Sequence, residues 1–212
     1  MARTWMMSSE EEVANSITHG VMAALVLLAL PYIAIRGYLE NGCIGAVTKS
    51  VFMISMFLMF LTSCLYHAMA FESKHKLVFR VLDHICIYIA IAGSYTPIAL
   101  ITIGGGLGWA VVLLQWGLVV FGALYKSLSV RSIPKVSLTF YLIMGWTAVI
   151  LLPILLKKGS IELIAAVISG GLFYSIGAVF YALKGFKYHH MVWHLLINLG
   201  AISHFIAIMM FV

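Results

Sequence analysis

Long runs of apolar residues dominate the chain and are separated by short polar connections. Seven runs approach the roughly 20 residues that a helix needs to cross the hydrocarbon core of a bilayer. Their limits are close to residues 16–36, 48–70, 81–103, 108–126, 136–156, 161–183 and 189–211. The runs are uniformly apolar rather than alternating, which argues against a β-barrel. The pattern predicts an all-α membrane protein, a bundle of seven transmembrane helices in which sequence neighbours pack antiparallel.

Composition supports the membrane prediction. Hydrophobic residues make up 63% of the 212 residues and charged residues 9%, whereas soluble domains are about 45–50% apolar and about 25% charged. We therefore expect one membrane domain over residues 1–212. The formal charge of +6 comes from basic residues scattered between the apolar runs rather than from a patch, so membrane lipids and not nucleic acid are the expected partners.

The N-terminal segment carries helix-start signals rather than those of a secretion signal. Ser8 with Glu11, and Ser9 with Glu12, each fit the capping box, in which a serine and the glutamate three residues later satisfy each other's backbone N–H groups. Acidic residues stand where a cleavable signal peptide has a basic start. We expect a short interfacial helix that runs into the first span and remains in the protein.

The distribution of lysine and arginine predicts the orientation in the membrane. If the N-terminus is cytoplasmic, nine of the 13 basic residues fall on the cytoplasmic side and four on the other. The cytoplasmic set is Arg3, Lys74, Lys76, Arg80, Lys126, Arg131, Lys135, Lys184 and Lys187, and the opposite set is Arg36, Lys49, Lys157 and Lys158. The positive-inside rule thus favours a cytoplasmic N-terminus and an outside C-terminus.

Polar side chains at the ends of the spans break the apolar pattern, and ionisable groups inside a membrane are costly enough to indicate a function. With the predicted orientation, those at the starts of the first, third and seventh spans and at the end of the second all fall on the cytoplasmic side. They are Asn15, His19, His67, Asp83, His84, His190 and His194. A compact bundle can therefore bring several of them together.

The spacing of these residues indicates a metal site. His190 and His194 are four residues apart on one helix face, as in helical zinc sites. With His67 they supply three ligands, and three protein ligands plus water is the pattern of catalytic zinc. Asp83 is either a fourth ligand or the base that holds the metal-bound water, and we prefer the second role because a carboxylate beside Zn²⁺ stays ionised. Ser63 would support this site or donate to a developing oxyanion.

Other histidines have a simpler explanation, since a histidine at a span end usually snorkels to the interface. We do not expect His75, His84, His189 or His204 to be ligands. His204 lies about 15–21 Å along its helix from the histidine pair. A structural alternative for Asp83 is an ion pair with Arg80 or Lys187.

Longer motifs around these positions resemble a known family. They are Glu12-Val-Ala-Asn15-Ser16-Ile-Thr18-His19-Gly20, Ser63-x-x-x-His67, Asp83-His84 with Ile-Ala-Gly93-Ser94-Tyr95-Thr96-Pro97, Met144-Gly145-Trp146, His190-x-x-x-His194 and Ser203-His204-Phe205. Over almost the whole chain the sequence resembles the bacterial hemolysin III proteins of the progestin and adipoQ receptor family. The resemblance implies a multi-pass protein of the bacterial inner membrane with seven helices and zinc held by His67, His190 and His194. It also implies that Asp83 contacts the zinc-bound water with Ser63 as its neighbour.

Three functions remain open. The first is a zinc-dependent hydrolase of lipid amide or ester bonds, similar to ceramidases and acting in membrane lipid homeostasis, with Asp83 as the base. The second is a sensor or regulator of the membrane in which zinc is structural. The third is a pore-forming cytolysin, although the outer halves of the spans offer few polar residues for a channel. The sequence leaves open the substrate, the oligomeric state and the choice between zinc and another imidazole-binding metal.

Overall fold

The computed structural model describes residues 7–128, 134–183 and 186–212, and the regular elements within these ranges are helices. Their order is α1 (Ser9–Ala68), α2 (Lys74–Pro97), a π-helical segment (Ile98–Ile103), α3 (Gly105–Leu128), α4 (Pro134–Lys158), α5 (Ile161–Leu183) and α6 (His189–Phe211). Within the same ranges, six helices are long and apolar enough to cross a membrane. The predicted all-α membrane class is confirmed. Arg3, Arg131 and Lys184, which entered the orientation prediction, lie outside the described residues.

Helix α1 contains the first two predicted spans and is interrupted between them. At Asn41 and Gly42 the backbone leaves the helical conformation, and Gly42 has φ of 62° and ψ of −151°. Residues with a Cβ atom rarely adopt this combination. We call the parts before and after the break the first arm, residues 9–40, and the second arm, residues 43–68.

The two arms of α1 pack side by side as an antiparallel hairpin. The Ser16 hydroxyl of the first arm donates to the Cys64 carbonyl oxygen of the second arm at 3.1 Å, although 48 residues separate them. In one straight helix these residues would lie about 72 Å apart. Close to the break, Gly37 and Gly45 let the two backbones touch, because a Cβ atom at either position would collide with the carbonyl group of the other.

The first arm begins at one of the two predicted caps. Ser8 accepts a hydrogen bond from the Glu11 N–H at 3.3 Å, and the Ser8 N–H donates to the Glu11 carboxylate at 2.9 Å. Ser9 already lies inside the helix, so the alternative box with Glu12 does not form, and Glu12 is buried instead. The helix then continues without interruption to the break, so among the described residues no separate short helix precedes the first arm.

Helix α2 changes its winding after Pro97. Proline cannot donate the backbone hydrogen bond that continues an α-helix, and the chain continues as the π-helical segment up to Gly104, which has φ of 66°. The hydroxyl of Thr96 donates to the Ala92 carbonyl at 2.9 Å. The π-helical segment thereby continues α2 as far as the turn at Gly104.

Helix packing gathers several helix ends at one end of the bundle. The second arm of α1 packs against α2 and α6, and α5 packs along α6. Phe52, Met53 and Phe60 of the second arm and Ile208 of α6 are almost fully buried in the core that these helices share. This packing places the start of the first arm, the end of the second arm and the starts of α2 and α6 next to one another.

Candidate metal centre

The three histidines predicted as ligands converge at this end of the bundle. His67 is in the last turn of α1, and His190 and His194 are in the first two turns of α6. One ring nitrogen of each lies within 4.8 Å of the others. Nitrogens bound at 2.0–2.1 Å to one tetrahedral zinc ion are about 3.4 Å apart, so small ring rotations would close this set around an ion.

The environment of His67 fits a metal ligand. Its Nδ1 lies 2.5 Å from the Glu12 carboxylate, whereas its buried Nε2 has no hydrogen-bond partner among the described residues. Buried polar atoms are rarely left unpaired, and metal-bound histidines commonly have a carboxylate on the other ring nitrogen. An orphaned nitrogen beside two further imidazoles is the donor set that a borderline-soft ion such as zinc prefers.

His194 is oriented by the first arm of α1. Its Nδ1 lies 3.2 Å from the carbonyl oxygen of Asn15 and 3.2 Å from the Thr18 hydroxyl. Its ring is stacked on the ring of His19, with centroids 3.6 Å apart and an angle of 7° between the planes. These contacts hold one face and one edge of the imidazole, which leaves Nε2 as the atom available to a metal.

Asp83 and Ser63 lie beside the histidines, between α2 and the second arm. The polar neighbours of the Asp83 carboxylate are Ser63, His67, His84 and Lys126. The closest ion-pair contact of Asp83 among the described residues joins its Oδ2 to Nδ1 of His84 at 3.9 Å. Among the described residues, Asp83 forms no ion pair with Arg80 or Lys187, so the structural alternative is not what the structure has.

The histidines that were not expected to be ligands lie outside the three-histidine group of the described residues. Three of them contact backbone carbonyls instead: His84 that of Arg80, His189 that of Phe186, and His204 that of Val167. His75 is exposed in the first turn of α2. Each thus has a local explanation that needs no metal.

Sequence reasoning gave no role to two buried residues of the first arm, Glu12 and His19. Glu12 contacts His67, and His19 stacks on His194 with neither ring nitrogen paired among the described residues. The signal was present, because Glu12, Asn15 and His19 follow one another at helical spacing on one face. A role could be assigned to Glu12 and His19 only once it was known which helices this face contacts.

A cavity of about 930 Å³ begins at the histidines and extends along the bundle. Ser63, Asp83 and His190 line its polar end. From there its walls are mostly apolar side chains of α2, α4, α5 and α6, and it reaches Ile103 and Leu155 near the opposite end of the helices. The cavity therefore has its polar groups concentrated at one end and apolar walls over most of the rest.

The cavity also reaches the outer surface of the bundle between α4 and α5. Trp146 and Val149 of α4 and Ile168 and Leu172 of α5 line it. The same four side chains are 49–52% exposed. Side chains of both helices therefore belong to the cavity lining and to the exposed surface.

Fold and site together define a multi-pass membrane protein with a buried three-histidine cluster at the polar end of a mostly apolar cavity. Residues 7–205 match the family model described as "Haemolysin-III related", and the chain belongs to this family. Hemolysin-3 of Bacillus cereus is 36% identical over 203 residues, which are 96% of this chain and 92% of that protein. The hemolysin-3 homolog of Bacillus subtilis (strain 168) is 32% identical over 206 residues, 97% and 96% of the two chains.

A human relative extends the similarity beyond bacteria. The monocyte to macrophage differentiation factor of Homo sapiens is 27% identical over 203 residues, which are 93% of this chain and 83% of that protein. The predicted resemblance to hemolysin III proteins is confirmed. The chain is a multi-pass bacterial membrane protein.

Proposed function

We propose that this chain is a zinc-dependent membrane hydrolase that cleaves an amide or ester bond of a lipid and so acts in membrane lipid homeostasis. One observation carries the proposal: the three-histidine cluster and the Ser63–Asp83 pair lie together at the polar end of a long apolar cavity. A lipid has a polar linkage followed by a hydrocarbon chain, and the cavity has polar residues at one end followed by apolar walls. The exposed side chains of α4 and α5 that line the cavity would mark the path of such a substrate from the bilayer.

His67, His190 and His194 would hold the metal. When bound, zinc supplies Lewis-acid chemistry that polarises a carbonyl and makes water nucleophilic near neutral pH. Asp83 accepts the proton of the attacking water and returns it to the nitrogen or oxygen of the leaving group as the carbon–nitrogen or carbon–oxygen bond breaks. Ser63 orients the Asp83 carboxylate, and the apolar walls hold the chain and exclude bulk water.

The proposal includes a membrane arrangement of seven spans, in which residues 1–212 form one unit. Each arm of α1 is a separate span, supported by lengths of about 48 Å for the first arm and about 39 Å for the second, both more than the hydrocarbon thickness of about 30 Å. The N-terminus and the metal centre are cytoplasmic, and the C-terminus is outside. A reporter enzyme that works only outside the cytoplasm should be active when it is fused to the C-terminus. Activity of a reporter that works only in the cytoplasm would contradict this orientation.

Metal analysis of purified protein tests the site. The wild-type protein should carry close to one zinc ion per chain, and His67→Ala, His190→Ala and His194→Ala should each lose it. His75→Ala is the matched control, because this histidine is exposed and lies outside the cluster. Equal metal in all five proteins would refute the metal centre.

Lipid turnover tests the chemistry. Zinc-loaded wild-type protein is incubated with a panel of amide-linked and ester-linked lipids, and release of free fatty acid is measured. Asp83→Asn should keep zinc and fold but lose turnover, since the amide cannot accept the proton. Zinc-loaded protein that turns over no lipid in the panel would count against a hydrolase.

A structural metal in a membrane sensor is the second candidate, and the burial of the ligands favours it. His67 is 2% exposed and His194 1%, and a metal there would tie the second arm of α1 to α6. In this case the metal contributes folding free energy rather than chemistry. Asp83→Asn would then leave the cellular phenotype unchanged, whereas loss of any histidine ligand would abolish it.

A further inference from the structure

We propose that Glu12 is a positioning residue of the metal centre: its carboxylate fixes the ring orientation and the tautomer of His67, so that Nε2 is presented to a metal. This inference rests on the proposed metal centre and adds to it a residue that belongs to neither the ligands nor the Ser63–Asp83 pair. Glu12 would act only through His67.

The two carboxylate oxygens of Glu12 have different partners. Oε2 lies 2.5 Å from Nδ1 of His67, and Oε1 accepts a hydrogen bond from the Lys76 ammonium at 2.9 Å. Glu12 is 6% exposed, so these two partners take the place of water. A carboxylate accepts hydrogen bonds only, so at this contact Nδ1 of His67 must be the donor.

This single proton position decides whether His67 can bind a metal. A neutral imidazole carries one N–H, and the nitrogen without a proton is the one that can act as a ligand. With Nδ1 protonated toward Glu12, Nε2 keeps its lone pair, and Nε2 is the atom without a partner among the described residues. Without Glu12, the opposite tautomer would place a proton on the ligand atom.

The first arm of α1 orients the other end of the cluster in the same manner. His194 is held at Nδ1 by the Asn15 carbonyl and the Thr18 hydroxyl, one and two turns after Glu12. The first arm contributes no ligand to the three-histidine group, yet it contacts Nδ1 of two of its members. Glu12 is thus part of a helix face that sets ligand geometry from outside the ligand shell.

The run Glu10-Glu11-Glu12 offers matched controls, since three identical residues have three different environments. Glu10 is exposed. Glu11 caps α1 through Ser8 and accepts the Tyr188 N–H at 2.8 Å. Of the three, only Glu12 contacts the cluster, so Glu12→Gln and Glu10→Gln remove the same charge from positions two residues apart with different expected effects.

The first experiment measures zinc affinity by competition with a chelating dye, on full-length protein in detergent. Glu12→Gln should weaken zinc binding by about 10–100-fold, the usual effect of removing a hydrogen-bonding partner of a metal ligand. Glu10→Gln should bind zinc as the wild type does. Affinity of Glu12→Gln equal to that of Glu10→Gln, while His67→Ala loses zinc, would overturn the role of Glu12 and leave the metal centre intact.

The second experiment separates positioning from a structural effect of the buried ion pair. Lys76→Gln removes the cation but keeps the contact between the carboxylate and His67, so zinc affinity should be unchanged. Long-range ¹H–¹⁵N spectra of metal-free protein labelled in histidine should show His67 protonated at Nδ1 in the wild type and in Lys76→Gln, but not in Glu12→Gln. Equal losses of affinity in Lys76→Gln and Glu12→Gln would show a structural ion pair and overturn the proposal.

The two experiments also distinguish failure of the proposed function. Wild-type protein and His67→Ala that both bind no zinc would refute the metal centre. The role of Glu12 in fixing the tautomer would then be decided by the metal-free spectra alone, and a His67 tautomer that is the same in wild type and Glu12→Gln would refute it.

Discussion

Replacing Gly93 by alanine is expected to force α2 away from the second arm of α1. Gly93 faces Ser55, and a Cβ atom added at Gly93 would lie 2.5 Å from the Ser55 Cβ, whereas ordinary contact begins at 3.4 Å. The two helices must therefore separate locally by about 0.9 Å, the difference between 3.4 and 2.5 Å. Overpacking of this kind costs about 1–3 kcal/mol of unfolding free energy.

The same displacement acts on the proposed chemistry. The second arm and α2 form one antiparallel interface. Ser55 faces Gly93 at one point of this interface, and Ser63 and Asp83 lie about 12–15 Å further along the helices. A shift of about 1 Å in reacting groups can reduce a rate by about 10²-fold. We therefore expect Gly93→Ala to lower lipid turnover by up to about 10²-fold as well as to lower stability.

Unfolding in detergent micelles, followed by tryptophan fluorescence, measures the stability effect. Gly117→Ala is the control, because Gly117 is exposed and an added Cβ there meets nothing within 4 Å. Ser55→Gly removes the opposing Cβ, so the double variant with Gly93→Ala should be less destabilised than the sum of the single variants. Gly93→Ala that is as stable as Gly117→Ala, or a loss that Ser55→Gly does not offset, would contradict the predicted clash.

Three further predictions concern the cavity, the hairpin and the metal. Gly171 lines the cavity, and an added Cβ there meets nothing within 4 Å. Gly171→Phe should therefore reduce the amount of copurifying lipid measured by mass spectrometry, whereas Gly117→Phe should not. Equal amounts of lipid in both variants would contradict the cavity as a lipid site. In Gly42→Ala the alanine must adopt a φ of 62°, so this variant should be about 1–3 kcal/mol less stable than Gly106→Ala. Equal unfolding curves of the two variants would contradict strain at the break. Chelators should lower the Tm of the wild type but not of His194→Ala, because a bound metal stabilises only a chain with the complete site; the same decrease in both would argue against the site.

The positions of the helices could be predicted well where the bilayer alone sets them. The apolar runs 161–183 and 189–211 coincide with α5 and α6, since both helices begin and end close to the limits of the hydrocarbon core. Helix α2 begins at Lys74, before the predicted residue 81, because Ser73 caps it in the polar loop and hydropathy does not detect such a start. A pattern of apolar residues reports the solvent, whereas helix ends depend on local hydrogen bonds.

The three histidines of the candidate centre could be selected from the sequence, and the groups that contact them could not. His190 and His194 share a helix face by spacing alone, and His67 joined them because predicted orientation placed it at the same depth. The contacts of Glu12 with His67 and of His19 with His194 depend on which helices are neighbours in the bundle, which a single sequence does not determine. The cavity is equally hidden, because it is a gap between α4, α5 and the core rather than a property of any one segment.

A void of about 930 Å³ that extends along a membrane protein is also a weak point in the electrical insulation of the bilayer. Apolar voids stay dry, and an ion that entered one would lose its hydration shell without receiving polar partners in return. A hydrocarbon chain inside the void instead restores the missing dispersion contacts. If a lipid chain fills the cavity as proposed, its apolar walls would act as a dielectric barrier, and the bundle would keep the membrane potential intact.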